Sequence, residues 1–345
     1  MNKKSSKCNV AVVGATGQVG EAFFDILNER LFPVKEIYPL ASSKSMGKTI
    51  TYGNRNLKVC DLSNFDFKNV DIAFFSAGGE VSKKYVPKAA LNCVVIDNTS
   101  AFRYEPDIPL VVPEVNSSDI SQFKNTNIIA NPNCSTIQMV VALKPIHEKY
   151  GIKRVNVATY QSVSGSGRSG IEELASQTSN LLNAKEIEKK VYPEQIAFNC
   201  IPQIDCFLDN GYTKEEMKMV WETKKILGDE SIKVNATTVR VPVFFGHSEA
   251  VNVELKKEFK ISDIVALLEK SPGLIVSTKN EEGQYPTAAV TGATQDAVYV
   301  GRIRRDISID NGLNLWVVAD NIRKGAALNS VQIAEILIAD YLDNN

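Results

Sequence analysis

The fold is decided near the start of the chain by residues 9–20, which read NVAVVGATGQVG. A short apolar run leads directly into a turn that contains Gly14, Gly17 and Gly20. The apolar side chains of residues 19–27 then recur at helical spacing, with acidic residues between them. This order predicts a buried β-strand, a glycine-rich turn and an amphipathic helix.

Strands and helices continue to alternate up to residue 132. Apolar runs at residues 36–40, 70–75 and 93–96 predict further buried strands, and residues 81–91 have a helical pattern that contains Pro87. Proline inside a helix removes a backbone hydrogen bond, so we expect a kink or a break there. Such alternation is typical of the α/β class, with a doubly wound (Rossmann-type) parallel sheet.

The pattern changes after residue 132. The later strands are longer and alternate polar with apolar residues, at residues 155–163, 233–244, 249–255 and 297–303. Alternation of this kind is typical of a mixed or antiparallel sheet with one covered face, which predicts a second domain of the α+β type. Helical patterns occupy residues 170–189, 213–227, 261–270 and 326–341. We expect the last helix to fold back onto the first domain.

Composition excludes several classes of function. The 345 residues suggest two domains at roughly 150 residues each. The balance of 39 basic and 40 acidic side chains argues against binding to nucleic acid or a membrane surface through bulk positive charge. The N-terminus lacks a signal-peptide core, and no apolar window is long enough to span a bilayer. We therefore expect a cytoplasmic protein.

The cysteine and histidine content further limits the possible disulfides, metal sites and acid/base residues. The six cysteines are scattered without CxxC pairs, which favours a reduced protein with free thiols. Only two histidines are present, so we expect no zinc site of the usual spacing and no metal. His147 has the surroundings of a solvated helix end, which leaves His247 as the convincing general acid/base. A buried structural role is the alternative for His247.

The glycine turn predicts a dinucleotide site. Glycines between a strand and a helix let the backbone approach a pyrophosphate, and the helix N-terminus supplies amide donors. The spacing is GxxGxxG rather than the commoner GxGxxG, so a glycine turn without a nucleotide is the alternative. NAD enzymes usually carry an acidic residue after the second strand, whereas this chain has Ser42, Ser43 and Lys44. Hydroxyls with a cation favour NADP over NAD, although the same residues also suit a solvated turn.

One cysteine stands in the context of a nucleophile. Cys134 follows NPN and precedes a helical pattern, and the partial charge at a helix N-terminus lowers the pKa of a thiol. A small core residue is the alternative, as we expect for Cys93 in its apolar strand. Arg240 lies among valines in a predicted strand, where its charge requires a partner. A bound carboxylate or an internal acidic residue would supply one.

Four motifs occur together in the order GATGQVG, NPNCST, YQSVSGSG and GHSE, at residues 14–20, 131–136, 160–167 and 246–249. In combination they resemble the aspartate-β-semialdehyde dehydrogenase family. The resemblance implies the reversible, NADPH-dependent reductive dephosphorylation of β-aspartyl phosphate to aspartate β-semialdehyde through a cysteine thioester and a thiohemiacetal. It also implies a place in lysine (diaminopimelate), threonine, methionine and isoleucine biosynthesis.

The resemblance also implies roles for individual residues. Cys134 would be the nucleophile, His247 the acid/base, and Gln161 would orient the substrate. The implied substrate-binding residues are Arg103, Gln161, Glu215, Lys218 and Arg240. The implied cofactor contacts are Gly14, Thr16, Gly17, Gln18, Val19, Ser42, Ser43, Lys44, Ser164, Gly165 and Asn321.

The resemblance further implies separate functions for the two domains. Residues 1–132 would bind NADP, residues 133–324 would carry catalysis and dimerisation, and residues 325–345 would pack on the first domain. The half-covered sheet of the second domain is consistent with a homodimer.

Three alternatives remain open at this level. N-acetyl-glutamyl-phosphate reductase shares the architecture, but its cysteine usually lies in an NPGCY context, whereas this chain has NPNCST. A non-catalytic dinucleotide-binding paralogue would be expected to lose Cys134 or His247, and both are present. A cysteine hydrolase without a cofactor leaves the glycine turn unexplained.

Overall fold

The computed structural model describes residues 7–278 and 281–342. These residues form two compact units. The first unit consists of the chain up to Asn133 together with the segment that starts at Ala326, and the second spans Cys134–Gly325. The chain therefore leaves the first unit beside Cys134 and returns to it just after Gly325.

The first unit is built on a six-stranded parallel sheet with the strand order β5-β2-β1-β6-β7-β8. A separate antiparallel hairpin is formed by β3 and β4. The strands are β1 (Cys8–Val13), β2 (Val34–Ala41), β3 (Thr49–Tyr52), β4 (Arg55–Lys58), β5 (Cys60–Asp61), β6 (Ile72–Phe75), β7 (Val94–Asp97) and β8 (Ile128–Ala130). This sheet confirms the predicted Rossmann-type fold class.

Helices connect these strands. They are α1 (Gln18–Glu29), α2 (Gly79–Ala89) and α3 (Pro113–Asn116). The apolar face of α1 packs on the sheet, and the ring of Phe23 stacks on that of Phe74 at a centroid distance of 4.6 Å. Pro87 lies inside α2, which ends two residues later, so the expected break falls at the end of the helix rather than in its middle.

The second unit contains a six-stranded mixed sheet with the order β10-β9-β11-β14-β13-β12. Its strands are β9 (Ile152–Gln161), β10 (Lys233–Arg240), β11 (His247–Leu255), β12 (Leu274–Val276), β13 (Val298–Arg305) and β14 (Gly312–Ala319). Strands β9 and β10 are parallel, whereas β11 is antiparallel to both β9 and β14. The mixed sheet confirms the prediction for this part of the chain.

The helices of the second unit are α4 (Cys134–Tyr150), α5 (Arg168–Leu182), α6 (Lys214–Leu227) and α7 (Ile261–Glu269). Helix α4 is buried along most of its length and packs against β9, β11, β13 and β14. Because a helix that is apolar on all sides belongs in the interior, α4 forms the centre of this unit. The nucleophile candidate is the first residue of this central helix.

Two predicted elements end several residues earlier than expected. Strand β10 ends at Arg240 rather than at residue 244, because Pro242 has no N–H to continue the ladder. Helix α5 ends at Leu182 rather than at residue 189. The chain beyond it is held instead by Gln177, whose side-chain oxygen accepts hydrogen bonds from the N–H groups of Ile196 and Ala197.

The C-terminal helix α8 (Leu328–Leu337) belongs to the first unit. Its buried apolar side chains join the same core as α1, and Glu335 forms a salt bridge with Arg30 of α1 at 2.7 Å. Burial of each large apolar side chain contributes roughly 1.5–3 kcal/mol. Among the described residues, no helix is both long and apolar enough to cross a membrane.

Candidate active site

The glycine turn lines a cleft in the first unit. Gly14 has φ +90°, and a Cβ atom there would lie 2.8 Å from the carbonyl carbon of Ser76, so only glycine fits. The cleft has a volume of about 550 Å³ and is lined by the turn, by the end of β2 and by the chain after β6. Its lining includes Gly14, Thr16, Gly17, Ser42 and Ser43 from the predicted cofactor contacts.

The other predicted contacts of this turn lie beside the cleft. Gln18 begins α1, and its buried side-chain oxygen has no hydrogen-bond partner among the described residues. The side chain of Val19 packs against the apolar core, which leaves only its backbone for a ligand. Lys44 is exposed in the 3₁₀ turn Ser43–Ser45, and no described residue forms a salt bridge with it. The bare backbone at Gly14 and the buried oxygen of Gln18 fit a dinucleotide.

Asp61 was missed by the sequence analysis and lines the same cleft. Its carboxylate accepts hydrogen bonds from the N–H group and the hydroxyl of Ser63, and these bonds lower the pKa of Asp61. Strand β5 places Asp61 next to Ala41 at the end of β2. The cleft therefore presents an anion close to the serines, while the cation of Lys44 lies in the exposed turn that begins at Ser43.

A buried carboxyl group shapes the loop that carries Arg103. Asp97 ends β7 and accepts hydrogen bonds from the hydroxyls of Ser82 and Thr99, each at 2.8 Å. Burial nevertheless raises the pKa of Asp97 above its usual range. The guanidinium of Arg103 is buried and donates to the carbonyl oxygen of Asn98 at 2.9 Å. Arg103 is thus held by the backbone that follows Asp97.

Cys134 is the first residue of α4, so its thiol lies at the N-terminus of a long buried helix. Gly325 lies directly against it, and a Cβ atom at Gly325 would be 2.8 Å from Cβ of Cys134. A side chain at Gly325 would therefore collide with the nucleophile candidate. The dipole of a helix favours the thiolate form of a cysteine at its N-terminus.

The imidazole of His247 is fully buried at the start of β11. Ser162 donates its N–H to Nδ1 of His247 at 3.1 Å, and its hydroxyl lies 3.1 Å from the same atom. The second ring nitrogen, Nε2, is buried and has no hydrogen-bond partner among the described residues. Burial, and then the charge of Arg240, lower the pKa of His247 to about 3, so the ring is neutral at pH 7.

Asn321 joins the two loops next to His247. Its side-chain oxygen accepts hydrogen bonds from the hydroxyls of Ser162 and Ser164 and from the N–H of Gly246. Two predicted cofactor contacts, Ser164 and Asn321, are therefore bonded to each other, and Asn321 is also bonded to Gly246, which precedes His247. Within this unit, the Asn321 side chain stabilises the loops that hold the imidazole.

Arg240 lies on the other side of Ser162. Its Nη1 donates to the carbonyl oxygen of Ser162 at 2.6 Å, and a Cβ atom at Gly165 would lie 2.9 Å from this nitrogen. No acidic side chain of the described residues bonds to Arg240, so the internal carboxylate considered from the sequence is not its partner there. The backbone of Ser162 thus fixes both Arg240 and His247, a role that sequence reasoning missed although Ser162 lies within a quoted motif.

Gln161, Glu215 and Lys218 form one connected group. The amide of Gln161 donates to Oε1 of Glu215 at 3.3 Å, and Lys218 donates to Oε2 of Glu215 at 2.9 Å. Lys218 also donates to Asp205, at 2.9 Å. Burial acts to lower the pKa of Lys218, but Glu215 and Asp205 outweigh it and raise this pKa. Asp205 was not singled out from the sequence, since nothing local marks it.

The first turn of α6 is attached to the edge strand β10 by Glu216. One oxygen of its carboxylate accepts from the N–H of Thr213 at 2.7 Å, and the other from the N–H of Thr238 at 3.0 Å. Because β10 lies at the edge of its sheet, the N–H of Thr238 faces away from the other strands. Glu216 therefore fixes the position of the helix that carries Glu215 and Lys218 relative to the strand that carries Arg240.

A second buried acid lies behind this group. Glu249 follows His247 by two residues on β11, so both side chains point to the same face. Burial raises the pKa of Glu249 well above its usual range, and Gln138 opposes this shift only in part. Gln138 lies one turn after Cys134 on α4. The carboxyl group of Glu249 therefore holds its proton more tightly than a solvated glutamate does, on the strand that packs against the helix that carries the thiol.

The remaining candidates lie elsewhere. His147 was expected at a solvated helix end, but it is half-buried and its Nδ1 accepts from the N–H of Ile152 at 3.2 Å, so that expectation was wrong. Cys93 is buried, and burial raises the pKa of its thiol to about 12. No cluster of possible metal ligands occurs in the part of the chain that the structure describes.

Two family models match most of the chain. Residues 9–123 match the model described as "Semialdehyde dehydrogenase, NAD binding domain". Residues 143–324 match the model described as "Semialdehyde dehydrogenase, dimerisation domain".

Relatives are similar over nearly their whole length. The aspartate-semialdehyde dehydrogenase of Shewanella violacea is 60% identical over 338 residues, which is 98% of this chain and 99% of that protein. The enzyme of the same name from Legionella pneumophila is 61% identical over 339 residues, 98% of each chain.

Solved structures extend the likeness to the fold. A crystal structure of aspartate semialdehyde dehydrogenase II from Vibrio cholerae, complexed with ASA, has a TM-score of 0.96 at 57% identity and covers 98% of this chain and 100% of that one. Aspartate semialdehyde dehydrogenase from Candida albicans, with NADP, has a TM-score of 0.74 at 26% identity and covers 96% and 98%. The resemblance found in the motifs is confirmed, and the chain belongs to the aspartate-semialdehyde dehydrogenase family.

Proposed function

We propose that this protein catalyses the reversible, NADPH-dependent reductive dephosphorylation of β-aspartyl phosphate to aspartate β-semialdehyde. The observation that carries the proposal is the position of Cys134 as the first residue of α4, in the same unit as the buried imidazole of His247. The family supports the oxidoreductase activity, and the residue roles below are the finer part of the proposal.

The nucleophile in this proposal is the thiolate of Cys134. It attacks the carbonyl carbon of the acyl phosphate, and the phosphate leaves with the electron pair of the broken C–O bond. A thioester on Cys134 results. The N-terminus of α4 stabilises the thiolate before attack, and Gly325 leaves the space beside it free of a side chain.

His247 supplies a proton donor at Nε2. Because the N–H of Ser162 points at Nδ1, the neutral ring carries its proton on the other nitrogen. This N–H can donate a hydrogen bond to the oxygen that becomes negative when the carbonyl carbon turns tetrahedral. The arrangement supports stabilisation of that oxygen by His247, the predicted acid/base role stays a prediction, and ionisation of the thiol is assigned to the helix.

Substrate recognition in the proposal uses charged groups of the second unit. Arg240 uses one N–H for the carbonyl of Ser162, and the remaining donors of its guanidinium suit the α-carboxylate of the substrate. Glu215 suits the α-ammonium group, and it also holds the amide of Gln161. Lys218 is proposed to bind the phosphate, and the role of Arg103 in phosphate binding stays a prediction from the family resemblance.

The cofactor of the proposed reaction is NADP. The residues that line the cleft at the glycine turn would hold it, namely Gly14, Thr16, Gly17, Ser42 and Ser43. When bound, the nicotinamide supplies a hydride to the thioester carbonyl or accepts one from the thiohemiacetal. Selectivity for NADP is proposed to come from Lys44 with the two serines, and the structure of the Candida albicans relative with NADP supports it. Asp61, in the same cleft, is the feature that favours NAD.

We also propose a homodimer formed through the uncovered face of the mixed sheet. Tyr160 and Trp316 lie on this face with their rings 5.6 Å apart, and Tyr160 is exposed. The match to a dimerisation domain over residues 143–324 supports the proposal. The first unit is proposed as the NADP-binding domain and the second as the catalytic and dimerisation domain. A cytoplasmic location and the four-amino-acid pathway stay predictions.

The test of the proposed reaction is a spectrophotometric assay of NADP reduction. The purified protein is given aspartate semialdehyde with and without phosphate, and N-acetylglutamate semialdehyde serves as the alternative substrate. We expect phosphate-dependent turnover with the aspartyl substrate alone. Cys134→Ala is expected to abolish turnover while NADPH still binds, and Cys200→Ala, at an exposed loop cysteine, is the matched control. Turnover retained in Cys134→Ala would refute the mechanism.

A further inference from the structure

Lys218 is not a free cation in the described part of the chain. Its ammonium group donates to Oε2 of Glu215 and to Oδ2 of Asp205, each at 2.9 Å. Only 12% of its side chain is exposed. Two carboxylates around one ammonium give the group a net negative charge. A phosphate that approached Lys218 in this arrangement would meet two like charges, which disfavours its binding.

The two carboxylates differ in how firmly they are held. The side chain of Glu215 is 7% exposed and also holds the amide of Gln161, so its removal would expose a buried group. The side chain of Asp205 is 35% exposed and comes from the loop that precedes α6. Within the described ranges, its other oxygen accepts a hydrogen bond only from the N–H of the next residue, Cys206, at 2.9 Å. Asp205 is therefore the carboxylate that can leave.

The backbone at Asp205 is strained. Its φ is +70°, in the left-handed region that costs energy for every residue except glycine and is tolerated best by Asn and Asp. The bond to Lys218 thus holds a loop residue in an unfavourable conformation. Loss of that bond would remove the contact that keeps the carboxylate on the lysine.

We propose that the carboxylate of Asp205 occupies on Lys218 the position of a phosphate oxygen, and that phosphate displaces it on binding. Asp205 is then a positioning residue that acts through Lys218 and sets the affinity of the enzyme for phosphate. The inference rests on the proposed function, since it takes phosphate as a substrate of the oxidative direction. Its consequence is unusual for an ion pair, because removal of one partner should improve binding of a substrate.

Two substitutions test the proposal with little change to the backbone. Asp205→Asn keeps an oxygen for the N–H of Cys206 and tolerates the positive φ, and Asp205→Gly removes the side chain at a φ that suits glycine. In both variants we expect the KM for phosphate to fall about two- to fivefold, the range for loss of one partly exposed charge. The KM values for aspartate semialdehyde and NADP should not change. In the reductive direction, the inhibition constant of phosphate should fall by the same factor.

The matched control is Asp209→Asn, at an exposed acidic residue of the same loop that makes no salt bridge among the described residues. An unchanged or higher KM for phosphate in Asp205→Asn and Asp205→Gly would overturn the proposal. Simple structural damage would raise KM values or lower kcat. It would not lower the KM for phosphate alone. If the wild-type protein shows no phosphate-dependent turnover, the proposed function fails instead, and the two failures are thereby distinguished.

A measurement on the wild-type protein does not depend on the variants. The N–H of Cys206 is bonded to the side chain of Asp205, so displacement of that side chain should speed hydrogen exchange at Cys206. Peptides that contain residues 203–209 should therefore exchange faster in saturating inorganic phosphate than in chloride of equal ionic strength. Equal or slower exchange in phosphate would count against the displacement.

Discussion

The backbone N–H of Ser162 donates to Nδ1 of His247 at 3.1 Å, while the carbonyl oxygen of the same residue accepts from Arg240 at 2.6 Å. One peptide segment therefore orients both the proton donor and the residue proposed to bind the substrate carboxylate. Because an N–H group must face a lone pair, this hydrogen bond selects the tautomer of the imidazole. The side chain of Asn321 keeps the segment in place through the hydroxyl of Ser162.

We predict that His247 does not titrate in the physiological range. Burial and the charge of Arg240 lower its pKa to about 3, from the ordinary histidine value of 6.5. The pH profile of kcat/KM should therefore show no ionisation of this ring between about pH 5 and 8. Because the unfolded chain binds the proton more readily, this histidine contributes stability that is complete above pH 6.5 and is lost as the pH falls towards 3.

The measurement is NMR of the protein labelled at its histidines, with His147 as the internal comparison. The tautomer with the proton on Nε2 is expected for His247 at pH 7. A His247 signal that titrates near 6.5, or one with the proton on Nδ1, would contradict the assignment.

Glu249 gives the folding stability the opposite dependence on pH. Its pKa is raised in the folded protein, so the folded state holds a proton that the unfolded state loses above about pH 4.5. Glu249 thus costs stability as the pH rises above that value. Glu249→Gln removes this cost and keeps the shape of the side chain, so its denaturation midpoint should exceed that of the wild type more at pH 8 than at pH 5.

Glu258→Gln, at an exposed glutamate after β11, is the control and should show no such difference. A Glu249→Gln variant that is less stable than the wild type at pH 8 would show that the carboxylate is charged and paired.

Gly325→Ala should damage the nucleophile site. The added methyl group would lie 2.8 Å from Cβ of Cys134, and overpacking of this kind costs about 1–3 kcal/mol. We expect a lower kcat and a changed rate of alkylation of Cys134 by iodoacetamide. Gly79→Ala is the matched control, since a Cβ atom there meets nothing within 4 Å. Wild-type kcat in Gly325→Ala would show that the thiol tolerates the displacement.

Lys44→Glu tests the origin of cofactor selectivity. Lys44 is exposed next to Ser43, which lines the dinucleotide cleft. If Lys44 binds the 2′-phosphate, the reversal of its charge should weaken the binding of NADPH more than the binding of NADH. Lys48→Glu, at another exposed lysine nearby, should affect neither. Equal losses of affinity for both cofactors in Lys44→Glu would show that Lys44 does not bind the 2′-phosphate. Asp61→Asn would then show whether the carboxylate in the cleft sets the preference between NADPH and NADH.

Much of the fold follows from local patterns. The strand, glycine turn and helix of residues 9–29 could be predicted because burial on both faces of a parallel sheet demands continuous apolar strands. The alternation of polar and apolar residues at positions 249–255 predicted the half-covered sheet in the same way. In β11 it corresponds to alternating buried and half-buried residues. The end of β10 could have been predicted from Pro242, whereas the end of α5 could not, since the tertiary hydrogen bonds of Gln177 hold the chain beyond that helix.

The sequence by itself determined the two sheet types, the helix that begins at Cys134 and the motifs that carry the family, because these depend on residues close together in the chain. Only the tertiary structure decided which nitrogen of His247 is free, which carboxylates surround Lys218 and which glycine lies over the thiol. Those contacts join residues such as Asp205 and Lys218, or Gly325 and Cys134, that no local spacing relates. A hydrogen bond or a close approach between distant residues depends on where the backbone places them, and that placement exists only in the folded chain.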